Sequence, residues 1–290
     1  MGGSKNIQSK NIIACFYDCD QTLTPEYMQE PMFRSMGIDP NEFWADNDKL
    51  KKYAASLDVD IGSETMYMIN LLNYIKKGKI PPLSNSDLEK YGAMIQPFPG
   101  LPEFFLRTKK SVEKRYGSQG VKLEHYIIST GLRKMIQGSC LNAPGALDQI
   151  FASEYLEKDG VIYYPVKAIG FIEKTRCLYE ANKGTNIDPT IDVNKRMPSG
   201  KRRIYFENMI YVGDGFTDVP CMSMTLERGG TSIGVYDPDR PKAYHEAMEL
   251  LKDGRISRIA KTDYRKDGEA AEAIEESISR AAERMIRSKK

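Results

Sequence analysis

The sequence has almost no net charge. Its 42 lysines and arginines are balanced by 40 aspartates and glutamates, leaving a formal +2. Without a dominant sign there is no long-range field to draw in nucleic acid or an anionic membrane surface, and neither partner is expected. The short basic clusters, Lys109-Lys110 and Lys201-Arg202-Arg203, read as solvated surface. Cysteine is scarce: Cys15, Cys19, Cys140, Cys177 and Cys221 are odd in number and lack the paired spacing of a zinc site. That pattern fits a reducing cytoplasm better than an oxidising compartment. Long apolar runs are also missing. No stretch reaches the length of a membrane span, and Met1-Gly2-Gly3-Ser4-Lys5 lacks the apolar core of a signal peptide. There is no internal repeat and no low-complexity tract. The two histidines, His125 and His245, read as structural residues of a strand and a helix. A soluble cytoplasmic protein of open oligomeric state is the expectation.

What is present is an ordinary globular composition, 41% hydrophobic and 28% charged over 290 residues. Short apolar runs end in small or acidic residues. Asn11–Tyr17 leads into Asp18, His125–Ile128 into Ser129-Thr130-Gly131, and Met209–Val212 into Gly213-Asp214-Gly215, with Thr231–Val235 following. Both faces of each run are apolar, as in parallel strands covered on both sides. Helical patterns lie between them, at Leu101–Tyr116, Gly131–Leu141, Lys174–Asn182 and Pro241–Leu251. The alternation predicts an α/β protein, a Rossmann-like parallel sheet with helices on both faces. Chemistry in such sheets collects at the carboxyl ends of the strands, where all three polar clusters fall.

The chain from Asp18 to Ser129 is several times longer than the ~30 residues a crossover between parallel strands needs. Glu26–Gly37, Asn41–Ser56, Ser63–Lys77 and Ser84–Ile95 read as helices, with N-caps expected at Asn41, Ser63 and Ser84. Pro97, Pro99-Gly100 and Pro102 then punctuate the return to the sheet. The expected organisation is a discontinuous core, 1–23 and 97–290, with a helical domain, 24–96, inserted after the first strand. Residues 183–208 read as a long irregular excursion. Gly268–Lys290 reads as a helix with one apolar stripe, used for packing on the core or as an oligomer seam.

Three clusters carry possible chemistry. Asp18 and Asp20, two apart at a strand end, project into the same space. One can serve as a nucleophile and the other as a general acid and base, and both stand where a divalent cation could bind. A strand-end turn with two solvated acids would look the same. Ser129-Thr130-Gly131 offers a hydroxyl and backbone N–H groups to a phosphate, or equally a helix cap. Gly213-Asp214-Gly215-Phe216-Thr217-Asp218 brings two further carboxylates to one mouth, an excess of negative charge that suggests a bound cation.

In this order and at strand ends, the clusters resemble the haloacid-dehalogenase-like superfamily, in its phosphoserine-phosphatase-like group with a helical C1-type cap. The first motif matches at Asp18, Asp20 and Thr22, the second at Ser129, and the fourth at Asp214 and Asp218. The third, a lysine near a helix start, is matched best by Lys174, with Lys167 as the alternative. The resemblance covers roughly residues 11–23 and 97–264. It implies a magnesium-dependent phosphohydrolase acting on the phosphate monoester of a small metabolite. Asp18 would be the nucleophile that carries an aspartyl-phosphate, and Asp20 the general acid and base. Ser129, Thr130 and Lys174 would hold the phosphoryl group. The Mg2+ ligands would come from Asp18, Asp20 through its backbone carbonyl, Asp214 and Asp218. An acid at Asp20 favours a phosphatase or phosphomutase over a dehalogenase or a transport ATPase. Gln21 and Thr130 depart from the pattern, each standing where glycine is frequent. Phosphoryl transfer to a second substrate, or a phosphate-binding regulatory protein with little turnover, are the alternatives. Arg34 and Arg133 are further possible anion contacts. The inserted segment is rich in aromatic residues and methionine, which are expected mainly in its core.

Overall fold

The computed structural model describes residues 11–287. Seven strands form one sheet: β1 (Ile12–Tyr17), β2 (Lys122–Leu132), β3 (Gln149–Lys158), β4 (Val161–Lys167), β5 (Met209–Gly213), β6 (Thr231–Tyr236) and β7 (Arg258–Lys261). Their order is β4-β3-β2-β1-β5-β6-β7. All neighbours are parallel except β3 and β4, which form an antiparallel hairpin at one edge. The α/β architecture follows the expectation from the alternating pattern. Strand β1 lies at the centre, where both faces must be apolar. Ile13, Cys15 and Tyr17 enter one core, and Ile12, Ala14 and Phe16 enter the other.

Ten α-helices accompany the sheet among the described residues. Those between β1 and β2 are α1 (Glu30–Ser35), α2 (Pro40–Ser56), α3 (Ser63–Lys76), α4 (Asn85–Gly92) and α5 (Glu103–Tyr116). The others are α6 (Arg133–Gly138), α7 (Glu173–Lys183), α8 (Val219–Glu227), α9 (Ala243–Lys252) and α10 (Glu269–Arg287). Helix α5 shares the first core with α10, whose apolar stripe includes Ala271, Ile274, Ile278, Ala281 and Met285. Helices α7 and α8 share the second core. None of the described helices is long and apolar enough to cross a membrane.

Local differences from the sequence expectation have physical causes. Residues 129–131 are strand, not the opening of a helix: β2 continues to Leu132, which pairs with Ser153 of β3 across an irregularity in register. Helix α6 is therefore shorter than the expected Gly131–Leu141. The helix expected over Glu26–Gly37 forms only from Glu30, with Pro31 in its first turn. Asp39 caps α2 by accepting from Asn41 N–H, so Asn41 is the capped residue rather than the cap. Gly62, not Ser63, precedes α3. Ser84 does cap α4, in a reciprocal capping box with Asp87. Strands β3, β4 and the short β7 were not anticipated. The last residues of the expected terminal helix, 288–290, and the first ten residues of the chain lie outside the described residues.

Helix α4 sits against α6 at backbone contact distance. A Cβ built on Gly92 would lie 2.0 Å from the Met135 carbonyl oxygen, and one on Gly138 would lie 1.8 Å from that of Glu89. Only glycine fits either position without moving a helix.

His125, on β2, is fully buried against α5, its Nδ1 3.1 Å from Tyr17 Oη and its Nε2 2.9 Å from Thr108 Oγ1. Thr108 Oγ1 donates to the Phe104 carbonyl, so Nε2–H donates to Thr108 and Nδ1 accepts from Tyr17. Burial, with Lys109 nearby, holds this imidazole neutral well below its ordinary range. Below about pH 6.5 the unfolded chain takes up a proton that the native state refuses. This residue's contribution to stability is therefore intact above that pH. It is lost at up to about 1.4 kcal/mol per unit as pH falls toward the native value. Urea unfolding of wild type and His125→Gln across this range should give a shallower loss in the variant; identical slopes would place the effect on another group.

Candidate active site

The site is assembled by the carboxyl ends of β1, β2 and β5, the central strands of the sheet. As β1 ends, Asp18 N–H donates to the Val212 carbonyl at 2.9 Å, which fixes Asp18 beside β5. The chain then turns tightly: Thr22, Leu23 and Thr24 N–H groups all reach the Cys19 carbonyl. Asp20 emerges from this turn, half-buried, and accepts the Met28 N–H at 3.0 Å. Gln21 occupies the left-handed region, φ 63°, where glycine is ordinarily easier. Its side-chain oxygen accepts from Arg240, in the loop after β6.

The end of β5 supplies the second acidic pair. Asp218 is wholly buried, and its carboxylate folds back over Gly213. A Cβ at that glycine would lie 2.4 Å from Asp218 Oδ2, so only glycine leaves room for the carboxylate. Asp218 Oδ1 accepts from Tyr211 Oη at 2.7 Å and from Lys174 Nζ at 2.8 Å. Lys174, on the first turn of α7 and only 1% exposed, also lies 2.8 Å from Asp18 Oδ1. One ammonium thus bridges two carboxylates from different strands. Burial alone would lower the Lys174 pKa, but Asp18 and Asp218 outweigh it and hold the group charged.

Carboxylate oxygens of Asp18, Asp214 and Asp218 lie within 4.8 Å of one another. Three carboxylates against one ammonium leave an excess of negative charge. Asp18 is raised well above its ordinary range, first by burial and then by Asp218, against the opposing pull of Lys174. Asp214 is pushed up to about 6 by burial and Asp218, with Arg240 opposing. Asp20 is pushed up to about 7, chiefly by burial. Asp218 Oδ2 is buried with no hydrogen-bond donor. An oxygen-rich cluster with surplus charge and an unsatisfied carboxylate oxygen fits a hard divalent cation such as Mg2+. Asp20 contributes no side-chain oxygen to that triple.

The cleft above these residues has a volume of about 640 Å3. Asp18, Asp20, Thr130 and Asp214 line it from the sheet side. Ser129 is buried just behind, its Oγ accepting the Gly131 N–H at 2.9 Å. The Thr130 carbonyl accepts from Tyr67 and Ser153 hydroxyls at 3.0 and 2.9 Å, tying the β2 end to α3 and β3. The other candidates lie elsewhere. Lys167 pairs with Glu154 on the edge hairpin at 3.6 Å, as does Arg133 at 3.4 Å, while Arg34 pairs with Glu26 at 2.7 Å. His245 pairs with Glu249 on the exposed face of α9.

Arg240 was not anticipated from the sequence. Its Nη1 donates to Asp214 Oδ2 at 3.2 Å and its Nη2 lies 3.3 Å from Glu246, so it orients the carboxylate that Thr22 holds at 3.4 Å on the other side. The one available signal was its place in the short loop directly after a strand end.

No protein-family model matches the chain. An uncharacterized protein of Borreliella burgdorferi is 28% identical over 278 residues, covering 89% of this chain and 94% of that protein. Among solved structures, a HAD family hydrolase from Salmonella enterica serovar Typhi aligns with a TM-score of 0.51 at 19% identity, over 86% of this chain and 67% of that one. A probable phosphoserine phosphatase from Vibrio cholerae, in unliganded form, gives 0.54 at 12% identity, over 93% and 67% respectively. At these identities the likeness is one of backbone, and it establishes that the chain has the haloacid-dehalogenase-like fold.

Proposed function

We propose that this protein is a magnesium-dependent phosphohydrolase that cleaves the phosphate monoester of a small molecule through an aspartyl-phosphate on Asp18. The observation that carries the reading is the Lys174 ammonium, buried and held 2.8 Å from both Asp218 and Asp18, of which Asp18 lines the cleft. Packing does not call for a buried lysine flanked by two carboxylates; phosphoryl transfer does, because its transition state is rich in negative charge.

In the first half-reaction an Asp18 oxygen attacks phosphorus and the bond to the leaving oxygen breaks. Asp20, pushed up to about 7 chiefly by burial, gives that oxygen a proton. In the second, water attacks the phosphoaspartate, Asp20 takes the proton back, and Asp18 is released as phosphate departs. Lys174 orients Asp18 and offsets charge on the phosphoryl oxygens, with Ser129 and Thr130 beside them. Asp18, Asp214, Asp218 and the Asp20 backbone carbonyl would hold the Mg2+. The bound ion would supply charge neutralisation to the phosphoryl group. Residues 24–96 act as a cap over the core formed by 11–23 and 97–287, excluding water from the reaction. The unpaired state of all five cysteines suits a cytoplasmic location.

Phosphate release from nitrophenyl phosphate tests the reading. Turnover is expected with Mg2+ and loss of turnover with excess chelator, restored on adding the ion back. Equal rates with and without chelator would remove the metal from the proposal.

A further inference from the structure

Gln21 follows Asp20 directly, where glycine is frequent in the first motif, and the proposed reaction gives it no part. Its backbone nevertheless has φ 63°, the left-handed region that glycine enters freely and that a side chain makes costly. The peptide group joining Asp20 to Gln21 turns with this angle. The direction of the Asp20 carbonyl is therefore set by the backbone of residue 21. Strained backbone of this kind persists only where surrounding contacts hold it.

The contact that holds it comes from Arg240, in the turn between β6 and α9. Arg240 N–H donates to the Asp237 carbonyl at 3.2 Å, and Glu246 of α9 lies 3.3 Å from Nη2. Both anchor the guanidinium from its own side of the cleft. Its Nη1 then donates in two directions, to the Gln21 side-chain oxygen and to Asp214 Oδ2 at 3.2 Å. Thr22 closes the circuit from the same turn as Gln21. Its Oγ1 donates to Asp214 Oδ1 at 3.4 Å, and its carbonyl accepts from the buried Tyr264 hydroxyl at 2.8 Å. One planar fork of donors thus ties the turn after β1 to the carboxylate after β5. By charge alone, a guanidinium beside Asp214 would oppose a bound cation. What it offers the site is fixed geometry.

We infer that Gln21 and Arg240 are positioning residues that set the affinity of the metal site. Arg240 keeps residue 21 left-handed through the Gln21 side chain, and so keeps the Asp20 carbonyl in place; it holds the Asp214 carboxylate directly. This rests on the Mg2+ reading above for the identity of the ion. A glycine at position 21 would take the same backbone conformation unaided, whereas another side chain there loses both the contact and the conformation.

The test is calorimetric titration of Mg2+ into the full-length, metal-free protein. Gln21→Leu should bind the ion about tenfold more weakly, the lower end of the effect of losing a group that orients metal ligands. Gln21→Gly should bind close to the unsubstituted protein, because glycine restores the backbone without the side chain. Arg240→Met should weaken binding at least as much as Gln21→Leu, although it removes a positive charge from the site. Circular dichroism and urea unfolding of the metal-free variants confirm the fold. Equal losses in Gln21→Leu and Gln21→Gly, unchanged affinity in all three variants, or tighter binding by Arg240→Met would overturn the inference. Mg2+ binding by the unsubstituted protein keeps the metal reading whichever way the variants fall; its absence would remove that reading and the inference with it.

Discussion

Asp18→Asn is expected to lower kcat for any phosphate monoester by about four orders of magnitude, because it removes the nucleophile while preserving side-chain shape. The amide cannot attack phosphorus, although its carbonyl oxygen can still accept from the Lys174 ammonium, which lies 2.8 Å from Asp18 Oδ1 in the native protein. Stability is expected to change in the other direction. The native Asp18 carboxyl is disfavoured as an ion by burial and by Asp218, so neutralising it relieves part of that cost. The measurement is steady-state phosphate release together with urea unfolding of the same preparation. Retained turnover, in a preparation cleared of contaminating phosphatases, would exclude Asp18 as nucleophile.

Lys174→Met is expected to lower kcat by roughly two to three orders of magnitude, the range for removing one preorganised electrostatic group. It should also destabilise the metal-free protein by about 3–5 kcal/mol, since it leaves the two carboxylates buried without their shared cation. That penalty requires the carboxylates to be ionised, so it should grow as pH rises and shrink in acid. A second substitution, Asp218→Asn, should return part of the lost stability without returning activity. Recovery of both together would reduce Lys174 to a packing residue. A variant as stable as wild type at neutral pH would show that the ion pairs contribute little in solution.

Much of the fold was legible because the central strands are buried on both faces and end in acids. Asn11–Tyr17, Met209–Val212 and Thr231–Val235 have that character, and they are β1, β5 and β6. The edge hairpin was not legible, since β4 exposes Tyr163, Tyr164 and Val166 and has no clean alternation to read. The end of β2 was misplaced for a related reason. Ser129-Thr130-Gly131 has the composition of a helix start, but pairing with β3 carries the strand through it, and tertiary pairing outweighs local preference.

Within the candidate site, Asp18, Asp20, Asp214 and Asp218 could be selected because paired acids at strand ends are not required by packing. Lys174 was singled out by resemblance alone; nothing local distinguishes it from the exposed lysines on other helices. Its burial depends on β1, β5 and α7 meeting, which is not a local property. Arg240 was missed for the same reason: its contacts with Gln21 and Asp214 join residues far apart in sequence. The unusual backbone at Gln21 becomes intelligible only with that partner in place. Likewise Tyr27, Trp44 and Tyr67 were read as interior packing, and only the three-dimensional arrangement puts them along the cleft.

The most direct test of the central proposal is a crystal structure of the protein with Mg2+ and beryllium fluoride, a mimic of the phosphoryl group on a carboxylate. The expected result is a tetrahedral beryllium fluoride joined to an Asp18 carboxylate oxygen, with Lys174 at hydrogen-bond distance and the cation among Asp18, Asp214 and Asp218. A fully bound cation with a bare Asp18 carboxylate, or a fluoride adduct on another residue, would contradict it.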